Sequence, residues 1–117
     1  MTSQHIVNLL KLVGTPRDGA LLRFSLGSEY LKSSDFEAAI VHLGEAVEKD
    51  PGYSAAWKLL GHALAQSGQH EQALAAYRKG IEVAETKGDR QAVREMAVFA
   101  RRVEKTLELR KESRARS

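Results

Sequence analysis

A glycine in the middle of an otherwise regular helix constrains this chain most. The stretch YSAAWKLLGHALAQSGQHEQALAAYRKGIEVA, residues 53–84, divides at Ser67-Gly68 into two segments with apolar residues at helical spacing. Trp57, Leu60, Gly61 and Leu64 share one face of the first, and Ala73, Leu74, Tyr77 and Ile81 share one face of the second. Glycine costs a helix interior about 1 kcal/mol relative to alanine. Gly61 therefore predicts a close helix crossing, with the small Ala73 opposite and Trp57 and Tyr77 filling the space on either side. The stretch reads as two amphipathic helices packed back to back.

The pattern occurs twice. A shift of about 34 residues takes Leu60-Gly61 onto Leu26-Gly27, Ala73 onto Ala39, Glu71 onto Glu37 and Glu82 onto Glu48. Tyr30, Leu43 and Val47 then stand in place of Leu64, Tyr77 and Ile81. Asp50-Pro51 closes the first copy, because proline lacks an N–H and restricts the residue before it. The layout W-x2-L-G-x2-L and then A-x3-Y, with copies at 20–53 and 54–87, resembles two tandem tetratricopeptide repeats. The resemblance implies an all-α fold: a tetratricopeptide-repeat α-solenoid of antiparallel helix pairs in a right-handed superhelical stack. It also implies an interaction scaffold. This chain departs from the pattern at Arg23, where an aromatic is expected, at Gly80, where alanine is usual, and at Glu85, where proline is usual.

The flanks read as caps of one domain spanning 1–117. Ile6, Leu9, Leu10 and Val13 recur at i, i+3, i+4 and i+7, predicting a short helix over 3–13 that covers the N-terminal end of the stack. Thr15 would cap the next helix at about 17–32, with Pro16 in its first turn and Asp18 at the positive end of its dipole. Ser34-Asp35 supplies a turn and cap before a helix at 36–49, with Phe36 at the corner. After Gly88-Asp89, the stripe Ala92, Met96, Phe99 or Ala100, Val103 and Leu107 predicts a C-terminal capping helix over 89–112. It is read as lacking a small-residue crossing site, and 113–117 as a disordered tail.

Composition removes whole classes of chemistry. With no cysteine there is no disulfide, no thiolate nucleophile and no zinc site of the Cys-containing kind. His5, His42, His62 and His70 lack metal-ligand spacing, and there is no nucleophile elbow and no phosphate-cradling loop. No catalytic residue, no metal and no cofactor are expected, and the chain is read as no enzyme. The N-terminus lacks a basic opening and a small-residue cleavage site, and no segment approaches the ~20 apolar residues that span a bilayer. A cytoplasmic protein without membrane contact is the expectation.

What remains is binding. The resemblance places helix-A residues on the concave side: Leu21, Phe24, Ser28, Leu31 and Lys32, then Ala55, Lys58, His62, Ala65 and Gln66. Some tetratricopeptide domains grip a C-terminal carboxylate with Lys, Asn and Arg, but the matching positions hold Phe24, Ser28 and Leu59, so that clamp is not supported. The expected partner is an unidentified protein or peptide, with Lys58 and His62 as donors beside Phe24 and Leu31. An alternative follows from charge. Residues 1–85 carry a balance of −2, and residues 86–117 one of +5. Arg94, Arg101, Arg102 and Lys105 could therefore meet an acidic partner. Nucleic acid is disfavoured, because Phe99 is the one accessible aromatic candidate for stacking on that helix. A third reading is a self-associating module, monomeric or weakly homo-oligomeric, because a two-repeat stack has exposed ends.

Overall fold

The computed structural model describes residues 3–116, and among them there are six helices and no strand. These are α1 (Gln4–Leu10), α2 (Ala20–Lys32), α3 (Phe36–Lys49), α4 (Ser54–Gln66), α5 (His70–Thr86) and α6 (Arg90–Arg116). The helices α2, α4 and α5 end in one way. Ser34 (φ 61°), Gly68 (φ 84°) and Gly88 (φ 72°) turn the chain into the left-handed region. The next residue's N–H then donates back to the carbonyl of Tyr30, Leu64 or Ala84, at 2.8–2.9 Å, which closes the helix with its free carbonyls satisfied. Asp35 and Asp89 cap the helices that follow, accepting from the N–H groups of Ala38 and Ala92.

The helices stack in sequence, α2 on α3, α3 on α4, α4 on α5 and α5 on α6, with α1 over α2. The larger core runs from α3 to α6 and includes Leu43, Leu60, Leu64, Tyr77, Met96 and Val103, and the smaller one joins Ile6 of α1 to Leu22 and Leu26. Helix crossings fall at glycines. A β-carbon on Gly27 would run into the side chain of Leu43, and one on Gly61 would lie 2.5 Å from Cε1 of Tyr77. Tyr77, not Ala73, therefore supplies the atoms nearest Gly61; the ring fills the space that glycine leaves. Gly80 makes a further close contact, with Met96 and Cβ of Trp57.

Several termini differ from the sequence expectation. The first helix is regular only over Gln4–Leu10, continues as turns to Thr15, and leaves Leu10 38% exposed. Thr15 does not cap α2. Its hydroxyl donates to the Leu12 carbonyl, and Gly19 occupies the cap position without a side-chain bond. Asp18 accepts from the Gly14 N–H and from Arg23, so it braces the loop where a dipole contact was expected. The last helix runs on to Arg116 where a tail from 113 was expected, because nothing in residues 108–116 breaks a helix; Ser117 lies outside the described residues.

The missing proline at Glu85 has a positional consequence. α5 has 17 residues where α3 has 14, so α4 begins 34 residues after α2 but α6 begins 36 after α4. Gly27 and Gly61 are the eighth residues of their helices, and the eighth of α6 is Ala97. A small residue thus does stand at that position in α6, displaced by two from where a strict repeat period looks for it.

Candidate functional site

Helices α2, α4 and α6 are neighbours in space, α2 touching α4 and α4 touching α6. Counting from each helix start, Phe24, Lys58 and Arg94 are fifth residues, Ser28, His62 and Val98 are ninth, and Lys32, Gln66 and Arg102 are thirteenth. The two surfaces that the sequence sets against each other, groove and basic helix, therefore fall at equivalent helix positions. Leu21 is 68% exposed. Phe24 is half-buried and stacks on Tyr53, with ring centroids 4.8 Å apart. Ser28 and Leu31 are half-buried, Gln66 is exposed, and Arg94, Arg101, Arg102 and Lys105 are all exposed.

The donors are not arranged as the sequence suggests. Lys58 pairs with Glu95 of α6 at 3.3 Å, so its charge is engaged within the chain. Gln91 and Lys58 together hold the Glu95 carboxyl below its usual range. His62 turns inward: Nδ1 lies 2.5 Å from the Tyr77 hydroxyl, and the ring meets Phe99 edge-on at 4.6 Å. Burial first and Lys58 second push the His62 imidazole below its ordinary value, while burial raises Tyr77 to about 12. Near neutral pH both groups are uncharged. Leu31, Ser34, Phe36, His62, Gln66 and Phe99 line one open depression, and the guanidinium of Arg102 sits 5.5 Å over the Phe99 ring at its edge. Phe99 is consequently a wall of this depression, packed against His62 and Tyr77, and no free stacking platform.

A second polar cluster lies at the other end. Arg23, standing where an aromatic was expected, holds Asp18 through paired bonds of 2.9 and 3.1 Å and donates to Nδ1 of His42 at 3.1 Å. Arginine can only donate, so Nδ1 of His42 accepts and carries no proton. The hydrogen bond from Arg23 holds Asp18 down at about 2, and burial with the Arg23 charge lowers His42. Tyr30 stacks on His42 at 5.5 Å and completes the cluster.

The shifts of the two histidines and of Asp18 point one way. A histidine whose folded pKa lies below its unfolded 6.5 contributes stability above that pH and loses it as pH falls, because only the unfolded chain takes the proton. Asp18 contributes above about 3.8 and loses its contribution as pH falls toward about 2. Melting temperature is therefore expected to fall first below pH 6.5 and again below about 4. Thermal melts across pH 3–8 test this, and His42→Asn with His62→Gln should flatten the first step. A melting temperature constant from neutrality to pH 5 would contradict it.

Comparison with known proteins agrees with this architecture. The tetratricopeptide repeat family model matches residues 30–94. A TPR repeat-containing protein of Pseudomonas aeruginosa, PA0015, is 46% identical over 100 residues, covering 86% of this chain and 95% of its own length. The solution structure of BPP2914 from Bordetella parapertussis superposes with a TM-score of 0.79 at 37% identity and covers 96% of each chain. A tetratricopeptide repeat domain protein from Salinibacter ruber gives 0.68 at 28% identity, covering 74% of this chain and 88% of its own. The chain belongs to the tetratricopeptide repeat family, whose members generally mediate protein–protein interaction and are typically non-enzymatic scaffolds. No helix among the described residues is long and apolar enough to cross a membrane.

Sequence reasoning missed Phe36 and Phe99 as walls of one depression, and it assigned Arg102 to a rival surface. The signal was present in Glu85: without proline the helix runs on, and positions counted by a fixed period slip by two.

Proposed function

We propose that this protein is an adaptor that captures a segment of a partner protein on the face formed by α2, α4 and α6. The segment carries an apolar anchor beside an acidic group. One observation supports this reading above the others: the depression walled by Leu31, Phe36 and Phe99 has Arg102 stacked at its edge. An aromatic or aliphatic side chain fits the walls, and a carboxylate beside it meets a planar guanidinium already oriented by the ring. Arg101 and Arg94 extend the positive charge along the same face, while Leu21 and Phe24 extend the apolar end. Lys58 has no part in it, since Glu95 neutralises it.

The test begins with affinity capture from the native host, followed by mapping of the recovered partner to a synthetic peptide. Calorimetric titration of that peptide should show a loss of about tenfold or more for Arg102→Glu, with helicity and melting unchanged, and for Leu31→Ser, which lowers melting because Leu31 packs on the core but should keep the helicity of a folded chain. Equal binding by wild type and both variants would refute the assignment.

A further inference from the structure

Two surface stripes, one on α3 and one on α6, match each other. On α3 one stripe carries the exposed Glu37, Val41 and Glu48 with the half-buried Glu45; on α6 one carries the exposed Arg94, Val98, Arg102 and Lys105. Each series steps by four, four and three residues, so each occupies one stripe of its helix. The charges are opposite at the first, third and fourth places, and both second places hold a valine, 59% exposed in α3 and 39% in α6. Beside the α3 stripe, Gly44 leaves its surface open, with nothing within 4 Å of the position a β-carbon would take. None of Glu37, Glu45, Glu48, Arg94 and Lys105 forms an ion pair among the described residues, although Glu45 lies in the field of Arg23. Within one chain α3 and α6 do not touch. The match is therefore not satisfied within one chain.

We propose that the chain self-associates, with α3 of one copy lying parallel to α6 of the next. Parallel alignment sets Glu37 against Arg94, Val41 against Val98, Glu45 against Arg102 and Glu48 against Lys105. Reversing one helix sets a valine against a charge. Because the two surfaces differ, the contact is heterologous, and repetition extends a row of copies where a symmetric contact would stop at a dimer. Exposed ion pairs are individually weak and screened by salt. The association therefore belongs to high protein concentration and low ionic strength. Arg102 is shared with the depression described above, so a seated partner segment and a neighbouring copy compete for it.

Light scattering or sedimentation of the full chain, at millimolar concentration and low salt, should show a mean mass that climbs with concentration past two chains. The variants Glu37→Lys/Glu48→Lys and Arg94→Glu/Lys105→Glu should each lose that rise. Mixed in equal amounts, they should regain it, since each offers the charge the other needs. All four positions are exposed, and circular dichroism confirms that both variants fold. A wild-type mass that stays at one chain overturns the proposal. So does a rise that survives in either variant, or a mixture that stays monomeric. Glu37→Lys/Glu48→Lys alters nothing on the face proposed for peptide capture, so peptide binding by that variant separates the two readings, and failure here leaves peptide capture standing.

Discussion

A chain ending at Gly88 is expected to lose cooperative folding, whereas one ending at Glu108 should retain it. The shorter chain lacks α6, whose Met96, Ala100 and Val103 are buried against the stack, with Ala92, Val93, Phe99 and Leu107 packed around them. Removing it uncovers Tyr77, now 2% exposed, together with Ala84 and the Gly80 face that Met96 covers. Burying a large apolar side chain contributes about 1.5–3 kcal/mol. The loss of several is of the order of the whole 5–15 kcal/mol that holds a small domain folded. Ending at Glu108 removes, among the described residues, 109–116, which are exposed throughout. Thermal melts by circular dichroism, with size-exclusion chromatography for aggregation, distinguish the two. A sharp melt from the shorter chain would show that α6 is dispensable to the stack.

The repeat pair was legible because its signals are local and mutually consistent. Alternating large and small residues at helical spacing mark the faces, and Gly68, Gly88 and Pro51 mark the ends. The turn at Ser34 was legible only by analogy, since serine seldom takes φ 61° and the repeat period aligns it with Gly68. Side-chain partnerships were not legible. No spacing rule connects Lys58 to Glu95, or Arg23 to His42, because each pair joins separate helices whose relative rotation depends on the packing between them. The candidate site shows this. Lys58 looked like a free donor but is paired with Glu95, and the alternative surface of Arg94 and Arg102 was read from charge, which does not show that these residues stand at helix positions equivalent to those of Lys58 and Gln66.

Gly61→Leu is expected to destabilise the stack strongly, costing roughly 1–3 kcal/mol or more. Even the first added carbon would lie 2.5 Å from Cε1 and 2.7 Å from Cδ1 of Tyr77, closer than real β-carbons come to anything. The ring cannot easily yield. It is 2% exposed, bonded through its hydroxyl to His62 and stacked near Phe99, so moving it disturbs α4, α5 and α6 together. Two other glycines separate this cause from helix propensity. At Gly44 a β-carbon meets nothing, so Gly44→Ala should stabilise by about 0.5–1 kcal/mol. At Gly80 the nearest atom is the sulfur of Met96, on a flexible chain that can move aside, although Cβ of Trp57 at 3.0 Å is firmer. Gly80→Ala should therefore fall between Gly44→Ala and Gly61→Ala. Urea unfolding midpoints for the three alanine variants and Gly61→Leu give the order directly. If Gly61→Ala proves as stable as Gly44→Ala, the Tyr77 ring is free to move and the crossing is looser than its geometry indicates.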